Sequence, residues 1–433
     1  MSEKTSSFSA FLTRWKRQEY TILGSYLLRW ILISLAVGLL AGSASALFLW
    51  MLNWATATRE AHLWLLFFLP VAGFLIGWIY EVAGPYVNLG NNLILQEVQQ
   101  PSKLVMPVKM APLVLLATVL THLVGGSAGR EGTAVQMAGA LGDQLTPWFR
   151  LRPRDRKVLL MCAMSAGFSS VFGTPLAGTV FGLEVVVLGR MRYEALIPCF
   201  LAAVVAHGVT SAWGIGHTHY PVVEAPGLTI TTFLAVMVAG VCFALAARLF
   251  SRLMHFISAQ FKTRIKLAPL RPAVGGLLLL VIFWGIGSKD YAGLGVPMIE
   301  ASFHEQLPPY AFMLKLVLTA LTLGCGFKGG EVTPLFFIGA TLGNALSLWL
   351  PLPMELLAGI GFVAVFAGAT NTPLACTFMA MELFGTEIGM YAGLACVISY
   401  LFSGHTGIYS AQRVGSSKHL FYGKAEGKRL SEL

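Results

Sequence analysis

Charge is scarce in this chain. Of its 433 residues only 12% are Asp, Glu, Lys or Arg, while 56% are apolar and the mean hydropathy is +0.71. A soluble domain needs a charged surface, so this scarcity leaves no room for one and points to a membrane protein. Cysteine is thin as well: Cys162, Cys199, Cys242, Cys325, Cys376 and Cys396 all lie in apolar stretches, with no CxxC pair. They are expected to be buried packing thiols, not a disulfide framework or a zinc site, and no metal or cofactor is called for. Enzyme machinery is missing too. There is no HExxH pair, since His304 and Glu305 stand in HEQLP with no second histidine four residues on, and neither a paired-aspartate motif nor a GxSG serine turn is placed in the helices. The net charge of +10 sits in loops beside apolar spans, which fits positive-inside topology and not nucleic-acid binding.

What is present is a succession of apolar runs, among them 26–56, 62–80, 109–124, 158–189, 195–213, 227–250, 269–287, 310–325 and 388–402. Several are long enough to cross a bilayer as helices. Others, such as 135–141 and 334–349, are short or broken by Gly and Pro and suit half-spanning helices buried among neighbours. Ala44-Ser45-Ala46 imitates a secretory cleavage site, but LFLWMLNW continues the apolar run behind it. The stretch is therefore the first membrane helix. The segment before it, with Lys4, Arg14, Lys16 and Arg17, is expected to be an amphipathic cytoplasmic lead-in over residues 1–24.

The run GSAGREGTAVQMAGALGD, from Gly126, has a second copy in GFKGGEVTPLFFIGATLGN, from Gly326. At an offset of 200, Gly126, Gly129, Glu131, Thr133, Gly139 and Ala140 meet Gly326, Gly329, Glu331, Thr333, Gly339 and Ala340. A second block follows each copy, TPLAGTVFGLE from Thr174 and TPLACTFMAME from Thr372, at an offset of 198. The loop after the first copy, FRLRPRDRKV, carries five Lys or Arg, and its counterpart, LPLPMELLAG, carries none. Basic loops face the cytoplasm, so equivalent points of the two copies face opposite sides of the membrane. The expected architecture is an all-α polytopic membrane protein built on an inverted-topology repeat, with a first repeat over 25–215, a second over 216–415 and a short cytoplasmic tail over 416–433. Such repeats with interrupted helices place an ion site near the midplane.

Gly-rich turns that open a helix expose backbone N–H groups and the positive end of the helix dipole, which together attract an anion. Gly129 and Gly132 let the backbone come close to it. Intramembrane carboxylates are costly and mark function. Glu131 at such a turn is itself a tethered anion, which occupies the site when ionised and leaves it when protonated or displaced. Arg130 either binds the permeant ion or pairs with a carboxylate elsewhere, and pairing is the expectation because buried arginines need a fixed partner.

Together GREG at 129–132, GGEVTP at 329–334, the repeat and a late Tyr409 after a Gly-rich turn resemble the CLC chloride channel and transporter family, over roughly residues 25–415. The departures from the chloride-type pattern resemble the fluoride/proton antiporter branch. Gly90-Asn91-Asn92-Leu93-Ile94 stands where chloride members carry G-S-G-I-P, Thr133 replaces the proline of GREGP, Val332 replaces a phenylalanine between Glu331 and Thr333, and Val185 stands where many exchangers have an inner glutamate. The resemblance implies a secondary active antiporter that exports fluoride against inward proton movement, with Glu131 as the protonatable gate. It implies an anion site from Asn91, Asn92, Gly129, Gly132, Val332, Thr333 and Tyr409, with Glu331 as part of a shared proton and anion path. It also implies a homodimer in a bacterial inner membrane, with the lipid bilayer around it and fluoride and protons as the transported partners. Fluoride holds its water tightly, so a site that strips it needs good donors, such as the amide of Asn92 or Asn91, the Thr333 hydroxyl and backbone N–H groups. Glu331 donates only when protonated; the alternative is that neighbouring helix N-termini or Lys328 hold it. A chloride exchanger or passive channel of the same fold is the competing function.

The remaining charged and polar residues are given structural roles. Glu184 and Glu382 are expected to pair at helix ends, and His122 to be a satisfied core histidine. Lys109 and Lys315 are expected to snorkel to an interface, and Thr174 and Thr372 to cap helices.

Overall fold

Proline and glycine cut the apolar runs at the points that decide the fold. Residues 158–189 do not form one helix. The first segment stops at Gly173, which has a left-handed φ of 74°, and the next starts at Pro175. In the second repeat Asn371 takes the same left-handed conformation, with φ 62°, and Pro373 restarts the helix. A left-handed residue ends a helix, while proline fits a first turn that has no N–H partner to lose.

A computed structural model describes residues 3–433, apart from the side chains of 3–19 and 420–422. The lead-in side chains Lys4, Arg14, Lys16 and Arg17 lie outside the described residues. Sixteen α-helices longer than four residues are present among the described residues. The first eight are α1 Glu3–Ala61, α2 Leu69–Ala83, α3 Asn91–Gln99, α4 Met110–Leu123, α5 Glu131–Asp143, α6 Pro153–Phe172, α7 Pro175–Glu184 and α8 Leu196–Ala212. The second eight are α9 Ile230–Arg264, α10 Leu270–Ile286, α11 Val296–Ala301, α12 Ala311–Cys325, α13 Val332–Leu346, α14 Met354–Thr370, α15 Pro373–Phe384 and α16 Gly389–Phe402. Among the described residues four stretches are long and apolar enough to cross a bilayer: 20–61, 63–83, 193–212 and 230–264. By contrast α5 has 13 residues and α13 has 15. At 1.5 Å per residue each reaches only about 20 Å, short of a hydrocarbon core of about 30 Å.

The two sets of eight repeat one packing plan. α5 lies on α4 and α6 as α13 lies on α12 and α14, and α1 packs on α8 as α9 packs on α16. α13 and α14 touch backbone to backbone. A Cβ added at Gly339 would fall 2.0 Å from the Gly361 carbonyl oxygen, so only glycine permits that approach. Ala44-Ser45-Ala46 lies inside α1, where Ser45 is buried and accepts a hydrogen bond from Ser170 Oγ at 2.7 Å. All six cysteines are free, and all but the half-buried Cys242 are buried.

Glu184 and Glu382 show the repeat most directly. Glu184, at the end of α7, accepts the Leu374 and Ala375 N–H groups at 3.2 and 2.9 Å. Glu382, near the end of α15, accepts the Leu176 and Ala177 N–H groups at 2.9 and 2.8 Å. Each carboxylate thus closes the other helix's N-terminus, where its charge meets the positive dipole end. Thr174 and Thr372 do not cap these helices as expected, because neither side chain makes a cap hydrogen bond. The acceptor comes from across the repeat.

Lys315 also departs from expectation. It does not snorkel: it is fully buried, and its Nζ donates to the carbonyls of Tyr291 and Gly293 at 3.1 and 2.7 Å. Lys109 donates to the Ala83 carbonyl at 2.9 Å, at the end of α2. The residues after 416 fold back on the chain. Val187–Leu188 pairs in parallel with Arg413–Val414, Val414 N–H donates to Lys428 O at 2.9 Å, and Leu430 N–H donates to Gln412 O at 2.9 Å.

One member of the basic loop after α5 is an interior residue. Arg156 is buried and grips Asp143 through Nε at 2.8 Å and Nη2 at 2.6 Å, with Glu97 Oε2 3.0 Å from Nη1. Asp143 ends α5 and Glu97 lies near the end of α3, so this triad anchors the far ends of the two helices whose first residues include Glu131 and Asn91. Replacing Arg156 with methionine leaves two buried carboxylates unpaired and is expected to cost about 3–5 kcal/mol. The check is the melting temperature of the detergent-purified protein, and an unchanged value would show that the triad holds nothing.

Candidate functional site

The two copies of the glycine-rich motif meet. Gly129 N–H donates to Gly330 O at 2.6 Å and Gly330 N–H donates to Gly129 O at 2.7 Å. This reciprocal bridge sets the first turns of α5 and α13 against each other, so the positive ends of two dipoles converge. A Cβ added at Gly330 would lie 2.8, 3.0 and 3.1 Å from the backbone nitrogens of Gly132, Glu131 and Arg130. Three successive backbone nitrogens therefore crowd one point, and only glycine leaves room beside them.

Glu131 is fully buried, and its carboxylate lies on the other repeat's helix. Oε2 accepts the Thr333 N–H at 3.1 Å, and Oε1 accepts the Thr333 hydroxyl. Oε2 also accepts the Arg130 N–H at 3.1 Å. Arg130 Nε lies 3.5 Å from Oε1. The expected pairing with a carboxylate elsewhere is not seen among the described residues: the carboxylate nearest this guanidinium is that of the adjacent Glu131, and Nε makes no hydrogen bond. Thr133 is held by Thr118, hydroxyl to hydroxyl at 2.7 Å. The Val332 side chain is buried in the core. His122 is satisfied on both sides, with Nδ1 2.8 Å from Thr118 O and Nε2 3.0 Å from Ala128 O.

A cavity of about 510 Å³ lies on one side of this crossing, lined by Asn91, Asn92, Gln136, Lys328, Glu331 and Tyr409, among others. Glu131 and Thr333 are not part of its lining. The predicted residues thus fall into two groups, a carboxylate plug (Gly129, Glu131, Thr333) and a cavity group (Asn91, Asn92, Glu331, Tyr409). Gly132 joins them: a Cβ there would lie 2.9 Å from Asn91 Nδ2 and 3.2 Å from Glu331 Oε2. Its bare Cα leaves a gap between an amide and a carboxyl group. Asn91 Oδ1 and Glu331 Oε2 are both buried without a hydrogen-bond partner among the described residues.

The two asparagines have different surroundings. Asn91 faces Gly132. Asn92 Oδ1 accepts the Ala411 N–H at 2.9 Å, which holds the loop carrying Tyr409 and commits the amide oxygen, leaving the amide N–H groups as the free donors. Gln412 holds the same loop, donating to Val185 O and Thr370 O at 2.9 and 3.0 Å and accepting from Asn371 Nδ2 at 2.9 Å. Sequence reasoning missed Gln412, and only the folded contacts bring its partners together. Lys328 does not hold Glu331; its Nζ donates to Asn88 Oδ1 and stands 4.3 Å above the Tyr80 ring.

A mostly helical membrane protein in which two broken helices aim their N-termini at one buried carboxylate has the form of an ion channel or transporter. This chain belongs to the voltage gated chloride channel family, whose sequence model matches residues 72–404. A "chloride/fluoride channel protein" of Pseudomonas syringae pv. tomato is 55% identical over 414 residues, covering 94% of this chain and 91% of the relative. The crystal structure of a CLC-type fluoride/proton antiporter superposes with a TM-score of 0.86 at 37% identity, covering 90% of this chain and 98% of that one. A slow cyanobacterial chloride/proton antiporter shares the fold, with a TM-score of 0.73 at 19% identity over 87% of this chain and 93% of that one.

Proposed function

We propose that this anion-transport protein is a fluoride/proton antiporter that exports fluoride from the cytoplasm, with Glu131 as its protonatable gate. The observation that carries the reading is the position of the Glu131 carboxylate, on the N–H and hydroxyl of Thr333 at the start of α13. A helix N-terminus with spare donors is an anion site, and here a side-chain anion fills it. Protonation removes the charge that holds Glu131 there, and an incoming anion then takes its donors. Arg130 steadies the ionised form.

Fluoride is favoured over chloride by hard, compact donors and a small gap. Asn91, the Thr333 hydroxyl and the amides above Gly330 supply the donors, the bare Cα of Gly132 supplies the gap, and buried Val332 adds no bulk. Tyr409 and Asn92 line the cavity that leads to them, and Glu331 stands at its inner end. The names of the similar proteins, a chloride/fluoride channel protein and a fluoride/proton antiporter, support the same reading. The protein acts in this reading as a homodimer in a bacterial inner membrane, each chain holding the repeats 25–215 and 216–415 around its own path.

The test is proton uptake by liposomes that contain the purified protein and are loaded with fluoride or, in parallel, with chloride. Fluoride leaving down its gradient is expected to draw protons in against theirs, and chloride to draw none. Fluoride flux with no proton movement would make the protein a passive channel, and proton movement with chloride alone would make it a chloride exchanger.

A further inference from the structure

The cavity below the crossing is lined by three cationic side chains, Lys262, Arg271 and Lys328, and none of them makes an ion pair among the described residues. Its charged and titratable lining comes from several elements: Glu81 of α2, His255 and Lys262 of α9, Arg271 of α10, and Lys328, Glu331 and Tyr409. Most of these are exposed or already committed. Glu81 and Lys262 are exposed at the mouth. Arg271 donates to the Ile265 and Lys266 carbonyls at 2.9 and 3.2 Å, and His255 Nε2 lies 2.9 Å from Gly407 O. Lys328 is half-buried, deeper in, directly before the Gly129–Gly330 bridge. Its one hydrogen-bond acceptor among the described residues is the neutral Asn88 amide, and the Tyr80 ring covers one side. No ion pair of Lys328 occurs among the described residues.

We propose that Lys328, framed by Asn88 and Tyr80, is the docking point for the anion arriving from the side of the basic loops, and that its charge alternates between that anion and the Glu331 carboxylate. The inference rests on the antiporter reading and deepens it. An ammonium is a compact, strongly hydrated point charge, which suits a small hydrated anion such as fluoride better than a delocalised guanidinium does. Charge inside a membrane cavity is felt more strongly than in water because the surrounding dielectric is low. Glu331 lies three residues on, with an unpartnered oxygen. When Glu331 is protonated, Lys328 carries an unbalanced charge and holds the anion. When Glu331 ionises, it takes over that charge and lets the anion go. Anion loading and Glu331 protonation are thereby tied together at the cytoplasmic end, where Val185 offers no inner glutamate.

The experiment measures transport rate against halide concentration on the loading side, in liposomes, for the wild type, Lys328→Gln, Lys328→Arg and Asn88→Leu. Loss of the charge in Lys328→Gln is expected to raise the half-saturating fluoride concentration about tenfold, and retention of it in Lys328→Arg to keep the rise under about threefold. Asn88→Leu removes the one neutral acceptor and frees the ammonium for the anion, so its half-saturating concentration is expected to fall. A residue that only braces the loop would make both changes weaken binding, so a rise in Asn88→Leu overturns the proposal even where Lys328→Gln fails to fold. An unmoved half-saturation in Lys328→Gln overturns it too. If the wild type moves chloride in place of fluoride, the antiporter reading for fluoride falls, while the Lys328 shift is then read with chloride.

Discussion

Glu131→Gln is expected to lower proton movement at least about 100-fold while leaving anion movement measurable, since a positioned proton-transfer group contributes on the order of 10²–10⁴ and no substitute stands beside it. The Glu131 carboxylate touches Thr333 and Arg130. Threonine does not ionise in this range, and arginine stays charged. Glutamine keeps the shape and can still accept from the Thr333 N–H, so the crossing should hold its form. What it loses is the negative charge that competes with an anion for the N-terminus of α13. The expected phenotype is therefore uncoupled conduction, with fluoride leaving the liposomes down its gradient and the internal pH staying still. Simultaneous recording with a fluoride electrode and a pH electrode decides it. Proton uptake at the wild-type rate in Glu131→Gln would take the gate away from this residue.

Much of this arrangement is legible in the sequence because its chemistry is local. A helix N-terminus that must admit an anion needs glycine, and a broken helix restarts on Thr-Pro. Those demands recur at offsets of 200 and 198. Pairings across the molecule are not local and stay hidden. Glu184 and Glu382 are recognisable as helix-end carboxylates, yet only the packing of α7 against α15 shows that each serves the other's helix. Thr174 and Thr372 look like caps because the residue type is right; the carboxylates reach the N–H groups instead. Lys315 resembles a snorkelling lysine until the 288–295 loop folds over it and offers its carbonyls. Asn91 and Asn92 cannot be told apart in a string of letters. In a helix they point about 100° from each other, which sends one to Gly132 and the other to Ala411.

Glu331→Met should make the protein more stable and nearly inactive. A carboxyl oxygen buried without a partner costs about 1–3 kcal/mol relative to a satisfied group, and Glu331 Oε2 is such an atom among the described residues. Methionine has a similar length, no polar atom and the flexibility to fill an irregular space. The expected result is a melting temperature above that of the wild type. Transport should move the other way, by at least about tenfold, because a general acid or base is worth on the order of 10²–10⁴ where it carries a proton. It also removes the carboxylate that competes with the anion for Lys328. Opposite shifts in stability and rate separate a working residue from a packing one, since a residue kept for the fold loses both together. If Glu331→Met lowers the melting temperature, the carboxylate has a structural partner and the cavity is organised differently from the scheme proposed. If it melts higher and still couples fluoride to protons at the wild-type rate, the proton reaches Glu131 by another route, and His255 and Tyr409, which line the same cavity, are the next groups to replace.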